Sequence, residues 1–450
     1  ETSVTVEGIA YVVDPGFVKH KSYNPVTGIQ TLHVSHISQV AAKQRAGRAG
    51  RTRAGKCFRL YSSYMYDKQM RSETVPEIQR SNLCNTVLTL KVLGIDDVLG
   101  FDFLDPPPRE ALVDALKRLY FIGVLDDDGN ITPVGRTVAK FPLDPSLARV
   151  LLSARDKHCL HAVLSIVAML SIQNIFYAAN GPHAESSESA GWSDSGDHIA
   201  LLRIYEAWVQ GGQSEDWCRE HGIQIKAIRF AHSVRKQLVD MIEAEGWNVS
   251  PSNKSSTNGE PASHPAKRSR SGGSMRDAGD RSGQRDGDQR QLEQQCLAAF
   301  CDGYFPQSAR RSGYEGYLMA MPGPKQHTPI HIHPSSALAT PVPDDDSEEI
   351  RESRRVRPDW VIYHDIVWTS KPFMRQVSVV EADWLQPLLP RLSTADERRL
   401  SGKHCTATSD VVQQADSTAA DAQGTSQRRK NDESSVLAAR ERYLQRKRQG

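Results

Sequence analysis

The chain has 450 residues, enough for several domains, and its formal net charge is only +2. A protein with so small a net charge does not attract nucleic acid through its overall charge, so an RNA-binding site has to be a local patch of positive charge. The seven cysteines lack the paired spacing of a zinc site, which favours reduced thiols in a nuclear or cytosolic protein. No apolar stretch of the sequence has the length of a membrane span, and no membrane partner is expected.

The first elements read as a strand followed by a hairpin. Residues 10–13 are an apolar run, which predicts a buried parallel strand. Residues 18–23 and 29–34 flank a turn-forming segment with Asn, Pro and Gly, which predicts two antiparallel strands. Lys19, His20 and Lys21 give the hairpin positive charge. From the residues alone, an ordinary surface hairpin remains an alternative.

The next segment is the run QRAGRAGRT at residues 44–52, which has three arginines at three-residue spacing. On a helix or tight turn this spacing directs Arg45, Arg48 and Arg51 to roughly one side. Guanidinium groups are permanent cations that bind phosphate oxygens in a bidentate manner, and the glycines allow close approach. The run indicates a phosphate-facing element, while a basic surface helix remains the alternative.

A P-loop pattern overlaps this run but is predicted to be false. Residues 50–56 match the glycine and lysine positions, yet Cys57 stands where a P-loop needs Ser or Thr to bind Mg²⁺. Residues 57–61 read as a strand, whereas a P-loop opens a helix whose N-terminus faces the phosphates.

The rest of the chain alternates helical, polar and strand-like stretches. Residues 63–131 have helical spacing and end in two short strands around a tight turn at 123–131. Residues 132–249 read as all helical, with a buried helix at 160–172. Residues 250–291 have almost no large apolar side chains and are predicted to be disordered.

The C-terminal part reads as a small barrel and a tail. Short strands are predicted at 316–320, 330–334, 360–364 and 376–380, after a helix at 296–309. His331 and His333 share one strand face, but no further ligand accompanies them, so packing is favoured over a metal site and no metal ligands are predicted. The stretch 401–430 is low in complexity and predicted to be disordered.

Two segments are similar to motifs of the DEAH-box RNA helicases, a branch of superfamily 2. QRAGRAGRT with GKCFRLY at residues 55–61 resembles motif VI, and ETSVTVEGI at residues 1–9 resembles the second half of motif V, at a matching distance. Residues 296–305, the HIHPSSAL run at 331–338 and the C-terminal tail most resemble the DEAH-box helicase forty branch.

The resemblance implies a multidomain fold of α/β, all-α and all-β parts. It predicts a partial RecA-like domain at residues 1–62, a winged helix at 63–131 and a helical ratchet bundle at 132–249. A disordered insert at 250–291 precedes an OB-fold barrel at 292–390, and a low-complexity tail with a short terminal helix occupies 391–450.

The resemblance also implies a nucleotide site that binds ATP with Mg²⁺. Arg48 and Arg51 correspond to arginine fingers that stabilise charge during phosphoryl transfer, with Gln44, Gly47 and Glu7 also near the nucleotide. Arg45 is expected to be structural, tied to a carboxylate or to the backbone. The sequence contains no DEAH tetrapeptide, so the P-loop and the metal ligands are expected upstream and the chain is expected to be inactive alone.

For RNA, the resemblance implies single-stranded, largely sequence-independent binding. The residues expected to contact it are Thr2, Ser3, Lys19, Lys21, Arg229 and Arg310. The implied function is ATP-driven translocation on RNA or its remodelling, in pre-mRNA splicing or other RNA processing. It also implies a protein activator or ribonucleoprotein complex and a location in the nucleus, or in nucleus and cytoplasm. The alternative is a non-catalytic RNA-binding or scaffold protein.

Overall fold

The structure, a computed structural model, describes residues 6–25, 27–50, 53–172, 174–177, 192–249, 277–313, 316–321, 329–339, 358–368 and 371–401. The chain divides into two units, Glu1–His404 and Cys405–Gly450, and the second lies outside the described residues. Thr2, Ser3 and Arg51 also lie outside them, as do residues 250–276 of the predicted insert and the tail beyond residue 401.

The N-terminal elements confirm the predicted order of strand, hairpin, helix and strand. They are β1 (Tyr11–Asp14), β2 (Phe17–Asn24), β3 (Ile29–His36), α1 (Gln39–Ala46) and β4 (Lys56–Arg59). β1 and β4 are parallel, while β2 and β3 form the antiparallel hairpin.

The burial predicted for the first strand is wrong. In β1, Tyr11 is 69% and Val13 is 63% exposed. Within the described ranges β1 pairs with β4 alone, and the resulting two-stranded sheet leaves these side chains uncovered.

A small helical region follows, made of α2 (Cys84–Val92), α3 (Arg109–Phe121) and α4 (Pro133–Val138). The two short strands predicted at 123–131 are reduced to one antiparallel bridge, Leu125 with Ile131. Between them Asp126 Oδ1 accepts hydrogen bonds from the N–H groups of Asp128 (3.0 Å) and Asn130 (2.8 Å). The carboxylate therefore organises the turn that was expected.

The next region is helical, as predicted. It contains α5 (Pro145–Asp156), α6 (Leu160–Leu170), α7 (Asp197–Gln210), α8 (Glu215–Glu220) and α9 (Ile225–Ala244). Every residue of α6 except His161 is buried, which confirms the predicted buried helix. Tyr205 and Trp208 belong to the core of this region. None of the helices in the described ranges has the length and apolar character needed to cross a membrane.

Helix α10 (Asp277–Tyr304) corrects two predicted boundaries. Residues 277–291 were assigned to the disordered insert but are helical. The reason lies at the other end of the helix, where Cys296 and Phe300 are fully buried and fix its last turns. Adding turns to an existing helix costs little compared with starting one, so a polar stretch can extend it. The helix also ends at Tyr304 rather than continuing to 309.

The C-terminal strands form a sheet that also includes the hairpin. The four predicted strands are confirmed as β6 (Gly316–Met319), β7 (His331–Ile332), β8 (Trp360–Trp368) and β9 (Pro372–Val379), and β5 (Ser308–Ser312) was missed. The strand order is β2-β3-β8-β5-β6, with β9 paired to β8 and β7. One parallel pair, Gln30 with Val367, joins β3 to β8.

The predicted start of the tail at residue 391 is also wrong. Short helices α11 (Ala382–Leu385), α12 (Pro390–Thr394) and α13 (Glu397–Leu400) continue the fold. Leu400 is 1% exposed, and Arg399 pairs with Asp128 at 2.9 Å. Because this segment provides both an apolar anchor and an ion pair, it packs against the region of α3 although its composition is polar.

Candidate functional site

The arginine run occupies the end of α1 and the turn after it. Ser38 caps the start of the helix, since its Oγ accepts a hydrogen bond from the N–H of Ala41 at 3.0 Å. After Ala46 the chain continues in turns, in which Arg48 N–H donates to the carbonyl of Arg45 at 3.1 Å. The cap and the turns therefore give this part of the run a defined backbone.

Arg45 has the structural role expected of it. Its Nη1 donates to Asp14 Oδ1 at 2.8 Å and its Nη2 to the carbonyl of Phe17 at 3.1 Å. Asp14, the last residue of β1, is 1% exposed and also accepts bonds from Gly16 N–H (3.0 Å) and the Tyr61 hydroxyl (2.9 Å). The buried carboxylate at the end of β1 therefore joins α1, through Arg45, to the segment that follows β4, through Tyr61.

Burial and the hydrogen bonds to Asp14 together set the pKa of this carboxyl group. Burial raises the pKa of Asp14, but the bonds from Arg45, Gly16 and Tyr61 outweigh burial and hold the pKa below its usual value. The pair therefore stabilises the fold at neutral pH, and its contribution is lost as the pH falls through this lowered pKa. Burial, with the Asp14 charge, raises the pKa of Tyr61 to about 12.

The other predicted nucleotide residues of this region lie close to the surface. Gln44 and Gly47 are exposed at the end of α1, and Arg48 is half-buried. Glu7 is exposed in the segment before β1. Arg53 Nη2 donates to the carbonyl of Gly8 at 3.3 Å, so the structure brings the segment of the arginine run beside the segment that contains Glu7.

Gly55 makes this neighbourhood possible. A Cβ at this position would lie 2.0 Å from the carbonyl oxygen of Ala49 and 2.5 Å from that of Ala10. Only glycine allows the two backbones to approach this closely. The arginine turn and the start of β1 are therefore packed against one another through the backbone.

The P-loop pattern is a false match, as predicted. Lys56 and Cys57 lie in strand β4 rather than at a helix N-terminus. The N–H of Lys56 is already bonded to the carbonyl of Ala10 at 2.9 Å. The described residues of this segment, 50 and 53–57, therefore do not have the loop-to-helix geometry of a P-loop.

The hairpin has one face that is both basic and apolar, named here the hairpin face. Cross-strand pairing sets Lys19 opposite Val34 and Lys21 opposite Leu32. Both lysines are exposed, and Leu32 and Val34 are each 61% exposed. Two cations therefore lie between solvent-facing apolar groups, an arrangement suited to a ligand with phosphates and flat apolar surfaces.

The structure does not bring Arg229 and Arg310 into a shared cluster through any contact in the described ranges. Arg229 is exposed on α9. Arg310 is exposed on β5 with its guanidinium 6.0 Å from the centre of the Trp360 ring. Arg235, also on α9, instead donates to Ser165 Oγ at 2.9 Å and has a packing role.

Sequence reasoning missed a buried connection between α7 and the sheet. Asp197 accepts bonds from Ser336 Oγ (2.7 Å), Ala337 N–H (2.6 Å) and Val377 N–H (2.7 Å). His198 Nδ1 lies 2.8 Å from Ser378 Oγ. The first turn of α7 is therefore bonded to the HIHPSSAL segment and to β9.

Asp14 had a sequence signal, because it directly follows the apolar run at 10–13 and a charged residue buried beside such a run needs a partner. His331 and His333 behave as predicted, because their rings lie 6.1 and 5.7 Å from the ring of Phe373. Both histidines are therefore packing residues of the sheet.

Three family models match the chain. Residues 115–143 match the winged-helix part of the helicase associated domain (HA2), and residues 144–201 match its ratchet-like part. Residues 296–392 match the oligonucleotide/oligosaccharide-binding (OB) fold. Winged-helix, ratchet and OB folds are thus all present, in the order predicted.

The chain is also similar to a protein of Schizosaccharomyces pombe, the pre-mRNA-splicing factor ATP-dependent RNA helicase prp22. The two are 37% identical over 392 residues, which cover 87% of this chain and 29% of that protein. The chain therefore spans about a third of the length of this relative. With the three family models and the motif-like arginine run, this similarity identifies the chain as a C-terminal part of a DEAH-box helicase, the family to which it belongs.

Proposed function

We propose that this chain is the region of an ATP-dependent RNA helicase that holds RNA and completes the ATP site. The observation that supports the proposal is that Arg45 and Arg48, which are neighbours in the arginine run, lie in different environments. Arg45 is bound to buried Asp14, while Arg48 follows on the next turn and is half-buried. A fixed arginine at the base of this turn is the geometry that a finger needs, because Arg45 holds the turn that carries Arg48.

At the ATP site, Arg48 and Arg51 act as arginine fingers on the γ-phosphate. Gln44, Gly47 and Glu7 line the nucleotide side of the cleft, and the P-loop and the Mg²⁺ ligands come from a preceding RecA-like domain. The guanidinium groups neutralise charge on the transferring phosphoryl group. Residues 1–62 are then the end of a second RecA-like domain.

At the RNA site, the hairpin face contacts the strand through Lys19 and Lys21. Arg229, Arg310, Thr2 and Ser3 are further candidates for phosphate contacts. Such contacts are independent of sequence, which suits an enzyme that moves along RNA. By analogy with the splicing factor that it resembles, the protein acts in nuclear RNA processing, within a ribonucleoprotein complex or with a protein activator.

The salt dependence of RNA binding tests the RNA part of this proposal. Each phosphate contact to a single strand adds about 0.7 to the slope of log K against log salt concentration. The double variant Lys19→Ala/Lys21→Ala is therefore expected to lower the magnitude of this slope by about 1.4 and to weaken binding, measured by fluorescence anisotropy with single-stranded RNA.

Lys140→Ala provides the matched control. Lys140 is also an exposed lysine, but Glu245 neutralises it at 2.5 Å. Its removal should leave the slope unchanged. Equal slopes for the wild type and the double variant would contradict the assignment of the hairpin face to RNA.

A further inference from the structure

Two charged residues of α3 lie against the hairpin and have no part in the function proposed above. Asp114 and Arg118 form an ion pair within the helix, with 2.9 Å between Arg118 Nε and Asp114 Oδ2. Their side chains are only 13% and 15% exposed. Burying two charges is costly unless further hydrogen bonds support them, and the further bond comes from the hairpin.

Tyr23 of the hairpin joins this ion pair, and the three residues are named here the anchor cluster. Tyr23 is 8% exposed, and its hydroxyl donates a hydrogen bond to Asp114 Oδ2. The Arg118 guanidinium lies 5.9 Å from the centre of the Tyr23 ring. Burial raises the pKa of Tyr23, and the charge of Arg118 opposes this only in part. The hydroxyl therefore keeps its proton and acts as the donor.

The turn of the hairpin is fitted to the same arginine. Gly28 has a φ of 65°, and a Cβ at this position would collide with Arg118 Nη2. Only glycine combines this backbone conformation with so close an approach. The hairpin thus meets α3 through a side-chain hydrogen bond and through a turn that leaves room for the guanidinium group.

The anchor cluster is in register with the two lysines of the hairpin face. Side chains two residues apart on a strand point to the same side, so Lys19, Lys21 and Tyr23 follow one another along one side of β2. Both lysines are exposed, whereas Tyr23 is buried. Any rotation of the hairpin about Tyr23 therefore moves the lysines with it.

The hairpin does not need the Tyr23 hydroxyl in order to form. The β2–β3 ladder pairs every residue from Phe17 to Asn24. Outside the hairpin, Tyr23 N–H donates to the carbonyl of Arg80 at 2.7 Å, and Arg80 Nη1 donates to the carbonyl of Lys21 at 3.4 Å. These bonds use the backbone of β2 and persist without the hydroxyl. The hydroxyl adds a side-chain contact that orients the hairpin relative to α3.

We propose that Asp114 and Arg118 are positioning residues, which act through Tyr23 to hold the hairpin face in the orientation that binds RNA. The inference rests on the proposed function of the hairpin face. Without the anchor cluster, the hairpin is free to occupy other orientations. RNA then binds the competent fraction alone, and the apparent dissociation constant rises as this fraction falls.

Tyr23→Phe in the full-length protein tests this role, because it removes only the hydroxyl and keeps the buried ring. The loss of one hydrogen bond should weaken binding of a single-stranded oligouridine about five-fold at every salt concentration. The phosphate contacts of the bound state are unchanged, so the slope of log K against log salt concentration should equal that of the wild type. A parallel displacement of this line distinguishes positioning from the loss of a phosphate contact.

The lysine variant supplies a double-mutant cycle. In the background Lys19→Ala/Lys21→Ala, the hairpin face has lost the cations that the anchor cluster orients. Tyr23→Phe should then weaken binding by less than about two-fold, which is within the usual error of additivity. A hydroxyl that only stabilised the fold would have the same effect in both backgrounds.

Tyr120→Phe is the matched control. Tyr120 lies on the same helix and is 4% exposed, and its hydroxyl donates to Asp127 Oδ1 at 2.8 Å. This bond joins α3 to the turn at 126–130 rather than to the hairpin. Its removal should lower the melting temperature about as much as Tyr23→Phe does and leave RNA binding unchanged.

A second variant removes the acceptor instead of the donor. Asp114→Leu/Arg118→Met replaces the buried ion pair with apolar side chains of similar size, a change that often preserves stability. The Tyr23 hydroxyl loses its partner, so this variant should reproduce the five-fold parallel displacement.

Three outcomes overturn proposals at different levels. Wild-type affinity in both anchor variants, with weakened binding in the lysine variant, overturns the positioning inference alone. An equal five-fold loss from Tyr23→Phe in both lysine backgrounds assigns the loss to stability and also overturns it. Normal RNA binding by Lys19→Ala/Lys21→Ala overturns the proposed function of the hairpin face and this inference with it.

Discussion

At the scale of single residues, one buried carboxylate distinguishes Arg45 from Arg48. Asp14 is fully buried at its side chain, and Arg45, at 15% side-chain exposure, is its charged partner. Arg48 lies one turn further along and is half-buried near the surface. Spacing alone placed the arginines on one side, and the position of Asp14 decides which of them is structural.

Removing Arg45 should therefore loosen the base of the arginine turn. Arg45→Ala leaves Asp14 buried with only neutral donors, and breaking a buried ion pair on one side costs about 3 kcal/mol. Hydrogen–deuterium exchange of the β1 amides should report this loss of protection. Arg53→Ala, which removes an exposed arginine with one backbone bond, is the control and should change protection by less than about 0.5 kcal/mol. Unchanged protection in Arg45→Ala would refute the structural role of this arginine.

At the scale of elements, the sequence predicted what depends on local pattern. The hairpin follows from its turn-forming residues, and helix α6 follows from its dense apolar sequence. Strand β4 follows from the strand-like residues that begin at Cys57. The missed features depend on partners distant in sequence. Helix α13 packs against the region of α3 because Arg399 forms an ion pair with Asp128 and Leu400 joins the core cluster that contains α3. The exposure of β1 depends on which elements pack over it. No local pattern encodes such contacts.

The connection between α7 and β9 predicts a pH dependence of stability. Burial, with the charge of His364, lowers the pKa of His198 to about 3. Burial, with the charge of Arg375, lowers that of His364 to about 4. An unfolded histidine has a pKa of about 6.5, so below this pH the unfolded chain binds protons that the folded chain does not. Each histidine then costs about 1.4 kcal/mol of stability per pH unit until its folded pKa is reached.

His198→Gln isolates one of these two contributions. Between pH 6.5 and 4, the free energy of unfolding of the variant should fall less steeply with falling pH than that of the wild type, by about 1.4 kcal/mol per pH unit, measured by denaturant midpoints. Both proteins retain Asp197, whose pKa is raised by burial and which acts in the opposite direction, so its effect cancels in the comparison. Identical pH profiles would show that His198 is not buried in its neutral form.

At the scale of the whole molecule, one continuous segment links the two proposed sites. Strand β3 passes through Ile37 and Ser38 into α1 and on to the arginine turn. At its other end the hairpin is bound to α3, where the Tyr23 hydroxyl donates to Asp114. The hairpin is also joined to the OB sheet through Gln30 and Val367. This continuity is a physical connection between the proposed ATP site and the proposed RNA-binding surface.

The measurement that tests the central claim most directly is RNA-stimulated ATP hydrolysis by the full-length protein with single arginine substitutions. Loss of an arginine finger lowers turnover by about 10³-fold or more. We therefore expect such a loss in Arg48→Ala and in Arg51→Ala, with melting temperatures close to that of the wild type and normal turnover in the Arg53→Ala control. Near-normal turnover in both finger variants would contradict the account and would favour a non-catalytic RNA-binding protein.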